Sequence, residues 1–368
     1  MGGPRRWTLH VAAGIFAAAL VLADSAVAPR DVEACGGFFS RGSSRKPSLS
    51  YEQALILHDP SSEKEHFIRE ISFQGGAEPF GFVVPTPTEP VVAKVEKSPF
   101  EPLRWAFPFA APKPVDHAGT GFGNGLGRLG GGGGVTVLSA SKVGSFTAFV
   151  LAADDEKGLA RWLADNGLTS TPDADAWLSH YVRMKFYFVA MRYDPPQGAD
   201  ASVKPTASHA AAIPLKAETI RISFSTPVPY YPYFEPRRPP EPPSKRPPAR
   251  LLELWIATPA RVTPVVARTV NGRTEWVRPM QEGSTAGSID PWVSRAALLG
   301  ALGGALQALV PPGPLRVQTF QDQKLSREGY GDILFAPETK GTVDPATADK
   351  LRPLLGILDP TLVPSATR

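Results

Sequence analysis

The chain has 368 residues, 42% hydrophobic and 20% charged, with a net charge of +4 at pH 7. That length and apolar content suit one large or two ordinary globular domains, and so mild a charge without a Lys/Arg stripe excludes a nucleic-acid-binding surface. A single cysteine excludes an intrachain disulfide, so a buried core must hold the fold.

Arg5 and Arg6 precede an apolar stretch, Thr8 to Ala23, and small residues follow. This is the pattern of a secretory signal peptide, here with its cleavage region over residues 1–34. Small residues at the required spacing allow cleavage after Ala23, Ala28 or Ala34. The last of these leaves Cys35 at the mature N-terminus. The protein is therefore expected outside the cytoplasm, in the periplasm, on the cell surface or secreted.

Residues 35–107 form an N-terminal strand-rich part. Tyr51–Asp59 and His66–Gln74 read as strands around a turn at Asp59-Pro60-Ser61-Ser62. Phe80–Val84 is a short apolar strand before Pro85-Thr86-Pro87; proline ends it there or confines it to a sheet edge. Residues 108–134 read as a linker or mobile loop, with ten glycines in the 16 positions from Gly119 to Gly134. In the central part, 135–226, Val135–Leu138 and Ser145–Ala152 predict a hairpin. A helix follows, capped by Asp154 or Asp155, with Leu159, Trp162 and Leu163 on its apolar face and Asn166-Gly167 at its end. Asp175–Tyr181 adds a helical turn. The alternation from Val182 to Ala190 predicts a half-buried strand, and Ile220, Ile222 and Phe224 repeat the pattern.

Residues 227–249 read as a proline-rich spacer, with ten prolines in the 22 positions 227–248. Such a segment is expected as extended chain outside the core, although Tyr230, Tyr231 and Tyr233 could pack on a neighbouring sheet. The C-terminal α+β part, 250–360, opens with a strand at Leu251–Ala257 and a hairpin, Val265–Val270 and Arg273–Val277, around Asn271-Gly272. Asp290-Pro291 starts a helix expected to run to about Val310. Strands at Leu315–Phe320 and Asp332–Phe335 and a helix opened by Asp344-Pro345 precede a tail, 361–368. The longest uncharged apolar run after the signal, Ala296–Val310, has 15 residues, short of the roughly 20 a membrane helix needs. Ile68–Phe73 and Ile220–Phe224 echo each other (IREISF and IRISF) and leave a duplicated unit open.

No motif commits the chain to a reaction. Gly125-Leu126-Gly127-Arg128-Leu129-Gly130 has dinucleotide-fingerprint spacing but lacks the strand before it and the helix after it. No Gly-x-Ser-x-Gly elbow occurs; Gly283–Gly287 has Thr285 at its centre. Asp173 and Asp175 fit a helix N-terminus better than an acid–base pair. His58, His66, His117, His180 and His209 show no metal-ligand spacing. His58 and His66 could face each other across the first hairpin, and are read as surface residues. No cofactor and no metal site is expected. Cys35 is the one candidate catalytic residue: a nucleophile activated by its own amine, a lipid-attachment point, or a small structural residue beside Gly36-Gly37. Trp105, Trp255 and Trp276 are candidate platforms for a sugar.

Several blocks together resemble the bacterial exported domain-of-unknown-function family 2330. They are Ala34-Cys35-Gly36-Gly37-Phe38-Phe39, Gln53-Ala54, and Phe80-Gly81-Phe82-Val83-Val84-Pro85-Thr86-Pro87. Further along come Val143-Gly144-Ser145-Phe146, Val150-Leu151, Trp162–Gly167, Tyr181-Val182 and Phe188-Val189-Ala190. The resemblance covers roughly residues 34–270. Phe82 stands where the pattern leads one to expect Trp, and Ser40 where relatives often carry a second cysteine. The resemblance implies an exported bacterial protein and no known activity.

The expected fold is α+β and strand-rich, with mostly antiparallel sheets, a few packed helices and long Gly/Pro-rich loops. The leading functional expectation is a non-catalytic cell-envelope or surface protein that binds or scaffolds an extracellular partner. The alternatives are a hydrolase or transferase using Cys35, and a carbohydrate-binding module.

Overall fold

The computed structural model describes residues 37–40, 48–74, 80–109, 135–143, 146–193, 214–216, 218–236, 251–270, 273–277, 280–282, 290–323, 327, 330–337 and 354. Strand β1, Gly37–Ser40, is followed by the long hairpin β2, Ser48–Asp59, and β3, Lys64–Gln74. Asp59 closes its turn by accepting from the backbone N–H and hydroxyl of Ser61 and the hydroxyl of Ser62. Then come β4, Phe80–Thr86, β5, Val91–Lys94, and a short helix α1, Phe100–Ala106. Strand β4 runs past the expected stop at Val84. Pro85 is tolerated because β1 pairs only with residues 80–83, so Pro85 faces a single partner strand.

The hairpin β6, Val135–Val143, and β7, Phe146–Ala153, leads into helix α2, Glu156–Asp165, where Asp155 is the cap, accepting from the N–H groups of Lys157 and Gly158. Helix α3, Pro172–Arg183, is longer than the expected turn and takes in residues read as the start of a strand. The Thr171 hydroxyl caps it, Pro172 pre-sets its first turn, and Ala174, Trp177, Leu178, Tyr181 and Val182 give it a helical apolar stripe. Lys185 at φ 60 turns the chain into β8, Tyr187–Tyr193. Strands β9, Pro214–Lys216, β10, Ile220–Ser225, and β11, Tyr230–Tyr231, follow.

The C-terminal part holds β12, Leu251–Thr258, β13, Val262–Val270, β14, Arg273–Val277, and β15, Gln281–Glu282. Helix α4, Pro291–Ala301, starts on the Asp290 cap and stops well short of Val310. Gly303 and Gly304 break it, the latter at φ 44, and a 3₁₀ turn takes over at Gly304–Leu309. Strands β16, Arg316–Asp322, and β17, Ile333–Pro337, end the described sheet structure. The helix expected after Asp344-Pro345 lies outside the described residues, apart from Leu354, which is helical and buried.

Three sheets result, strand-rich and mostly antiparallel as expected. One has the order β1-β4-β8-β7-β6, one β15-β16-β12-β2-β3-β10-β5 with β9 also on β3, and one β11-β17-β13-β14. The only parallel pair in these orders is β12 with β2. The large sheet takes strands from the N-terminal, central and C-terminal parts, and the two echoing segments lie side by side in it as β3 and β10. One of its faces, with Ala54, Ile56, Phe67, Ile71, Ile222 and Leu254, joins the main core shared with the other two sheets and with α2 and α3. The opposite face, with Leu55, Leu57, Ile68, Trp255 and Ala257, is covered by Phe100, Leu103 and Phe107 at α1 and Leu298 of α4.

Residues 228–235 correct the reading of 227–249 as chain outside the core: Tyr230, Tyr231 and Tyr233 are all 0% exposed. Prolines there fix extended backbone while the tyrosines fill the core, so composition alone misjudges the segment.

Packing is close where Gly81 passes between β1 and β8. A Cβ on Gly81 would meet Leu168 Cδ2 at 2.5 Å and the Met191 carbonyl oxygen at 2.6 Å. Gly81→Ala is therefore expected to cost about 1–3 kcal/mol in urea unfolding. An unchanged midpoint would show that β8 yields at Met191.

Candidate functional site

Titratable groups concentrate in the core. Asp332 accepts from the Tyr181 hydroxyl at 2.9 Å, the Tyr230 hydroxyl at 2.7 Å and the Phe234 N–H at 2.9 Å. Burial pushes its carboxyl up to about 6. The Tyr230 N–H donates to Glu65 at 2.7 Å, and burial holds the Glu65 carboxyl well above its usual range. Arg327 pairs with Asp322 at 3.0 Å and Glu235 at 3.5 Å and lies 4.1 Å from the Tyr233 ring centre. Glu52 and Arg69 form an ion pair at 2.9 Å. All of these carboxylates and arginines are buried. Perturbed groups mark active sites only when a substrate can reach them; here they tie strands and helices together.

The histidines divide likewise. The register pairs His58 with Glu65 and His66 with Leu57, which puts the two histidines on opposite faces rather than opposite each other. His58 is buried, not at the surface, and donates from Nε2 to the Thr226 carbonyl at 2.9 Å. His66 meets the Ser223 hydroxyl at 2.8 Å. Burial holds His66 and His180 down to about 4, helped by Arg221 and Arg183 respectively. His117 and His209 lie outside the described residues, as do Cys35, the glycine fingerprint at 125–130 and residues 283–287. Two residues beyond Cys35 the chain is already in β1, and Phe39 there is buried. Asp173 and Asp175 lie in the first turn of α3, where carboxylates favour the helix dipole.

The three candidate tryptophans separate. Trp255 is no platform: it is fully buried, donating to the Phe107 carbonyl at 3.0 Å and packing edge-on against Phe109. Trp276 lies on β14, with its side chain outside the described residues. Trp105 is 82% exposed, the largest exposure among the described large apolar side chains.

Trp105 belongs to α1, whose sides face different surroundings. Phe100 and Leu103 point into the sheet. Glu101, Pro102, Trp105 and Ala106 line one wall of an open groove of about 550 Å³ whose other wall is Ala297, Gly300 and Ala301 of α4. Arg104 reaches instead to the sheet, donating to the Tyr51 hydroxyl and ion-pairing with Glu253. Tyr51 also donates to Glu253, and Gln321 reaches the other Glu253 oxygen at 3.4 Å. Burial raises the Glu253 carboxyl, against the pull of Arg104. In register with Glu253 across β12, β2 and β3 lie Gln53 and Glu70, all on the face that carries α1. The sequence reading included Trp105 but missed Glu101, Arg104 and Glu253. A usable signal was present: Glu253 interrupts an otherwise apolar strand, LLELWIAT.

Residues 29–209 match a family described as an uncharacterized protein conserved in bacteria, DUF2330. The match ends before β10, short of the expected residue 270. No curated protein matches the chain. Among solved structures, the crystal structure of baculovirus P35 aligns at 6% identity with a TM-score of 0.33, covering 80% of this chain and 98% of that one. A likeness so slight bears on neither fold nor function. Among the described residues, no helix is long and apolar enough to cross a membrane.

Proposed function

Through residues 29–209 the chain belongs to the bacterial DUF2330 family, and from that premise we propose an exported, non-catalytic envelope protein that binds its ligand on the outward side of α1. The observation that carries this reading is Trp105, 82% exposed on the wall of a groove. A ring of that size held in water is unfavourable by its area alone, and it becomes useful when a ligand covers it. The strongly perturbed acids at Asp332 and Glu65, by contrast, are sealed in the core. Export is supported by Arg5, Arg6 and the apolar stretch to Ala23.

Fractionation of the native host and mass spectrometry of the N-terminus test this. The protein is expected in the extracytoplasmic fraction, beginning at Asp24, Pro29 or Cys35. A cytoplasmic protein retaining residues 1–23 would overturn export. A start at Cys35, together with a hydrolytic activity abolished by Cys35→Ser, would replace the binding reading with the enzyme one.

A further inference from the structure

We propose that the outward side of α1 is a saccharide-binding site: a sugar ring stacks its C–H face on Trp105, enters the groove against α4, and bonds its hydroxyls to Glu101 and the Arg104–Glu253 pair. This rests on the binding reading above and names its ligand. A sugar ring combines an apolar face with a rim of hydroxyls, each both donor and acceptor. The site offers the complement. Trp105 supplies the flat apolar surface. Glu101 stands one helical turn before it on the same groove wall. The Arg104 guanidinium, adjacent in sequence, is 48% exposed while its Glu253 partner is 5% exposed. Across the groove, Ala297, Gly300 and Ala301 are small enough to leave room for a ring.

The chemistry beside Trp105 decides among ligand classes. An acyl chain or apolar peptide would cover Glu101 and Arg104 without meeting their hydrogen bonds, which is costly. A cation would suit Trp105 and Glu101, but Arg104 opposes a second positive charge there. A neutral polyol meets every group.

The supporting residues are fixed. The guanidinium of Arg104 lies 5.7 Å from the Tyr51 ring centre, and Tyr51 and Glu253 both hold it. Both stand on paired strands of the large sheet, which favours a precise site. Beside Glu253 on the same face lies Gln53, 7% exposed.

The test uses the mature protein in pull-downs on chitin, cellulose and protease-treated peptidoglycan sacculi, with chito- and cello-oligosaccharides titrated by calorimetry. At least one saccharide is expected to retain the wild type. Trp105→Ala should weaken that binding by about tenfold or more. Gly300→Leu should do the same by filling the groove. A Cβ on Gly300 meets nothing within 4 Å, so that variant keeps its fold, as circular dichroism would verify. Trp292→Ala, on α4 but outside the groove lining, should bind as the wild type does. Retention on none of these saccharides, or undiminished retention of Trp105→Ala, overturns the proposal. Wild type held by untreated envelope but lost after protease treatment would mean a protein ligand: the binding reading stands and the saccharide falls. Displacement by a trimethyl-lysine peptide would also sink it.

Discussion

Arg69→Met is expected to destabilise the protein by about 3–5 kcal/mol, because it leaves the Glu52 carboxylate buried without its counter-ion. Both side chains are 0% exposed, and their closest atoms are 2.9 Å apart. Neither Glu52 oxygen makes a hydrogen bond among the described residues. The short distance and the missing hydrogen bond are compatible: the pair is close enough for an ion pair but bent away from hydrogen-bond geometry. Coulomb attraction needs no particular angle, so the pair holds at this distance without a hydrogen bond. The Arg69 guanidinium also lies 5.2 Å from the Phe82 ring centre and 5.7 Å from that of Phe67, so its loss removes aromatic packing as well. The double variant Glu52→Leu, Arg69→Met should recover most of the loss, since a well-packed apolar pair often replaces a buried ion pair at little cost. Urea unfolding of both single variants and the double gives the coupling directly. A loss under about 1 kcal/mol for Arg69→Met would mean that water reaches Glu52 and that the pair behaves as a surface one.

That ion pair shows which parts of the fold were open to reading from sequence. Strand β2 alternates legibly: Tyr51, Gln53, Leu55 and Leu57 on one face, Glu52, Ala54, Ile56 and His58 on the other. The alternation reveals two faces but not which polar residue finds a partner, because Arg69 arrives through the register of the next strand. Residues 228–235 failed for the same reason. Their prolines are a local signal for extended chain, whereas the burial of Tyr230 and Tyr233 depends on Asp332 and Asp322, about a hundred residues further along. Helix α1 was missed because Pro99 and Pro102 suppress any local helical pattern; it forms on the apolar bed that Leu55, Ile68 and Trp255 provide. Trp105 could therefore be nominated from sequence as a lone aromatic, but not as the wall of a groove. Glu253 likewise needed three strands in register before it could be set beside Arg104.

Asp332→Asn is expected to make the stability of the protein respond to pH differently from the wild type. The folded carboxyl titrates at about 6 against an ordinary 3.8, raised by burial and only partly restored by Tyr230, Phe234 and Tyr181. Below the ordinary value the group is protonated in both folded and unfolded chains, and its contribution to stability is fully present. Between the two values the folded chain holds a proton that the unfolded chain has released, so that contribution is lost as pH rises through about 6. The difference of about 2 units corresponds to about 3 kcal/mol. The wild type alone will not display this slope, because His66 and His180 act against it. Both are held down to about 4 by burial, so their contribution is present above the ordinary 6.5 and is lost as pH falls towards 4. His180 packs 5.3 Å from the ring of Phe234, whose N–H binds Asp332, so the opposed groups meet on one short segment. The informative quantity is the stability of the wild type minus that of Asp332→Asn, from urea unfolding at pH 4, 5, 6 and 7. It should fall by about 2 kcal/mol between pH 4 and pH 7, since the unfolded group is already partly ionised at pH 4, leaving the variant relatively favoured at neutral pH. A difference that stays flat across this range would show that Asp332 remains ionised in the folded core, held by its hydrogen-bond donors more strongly than burial opposes them.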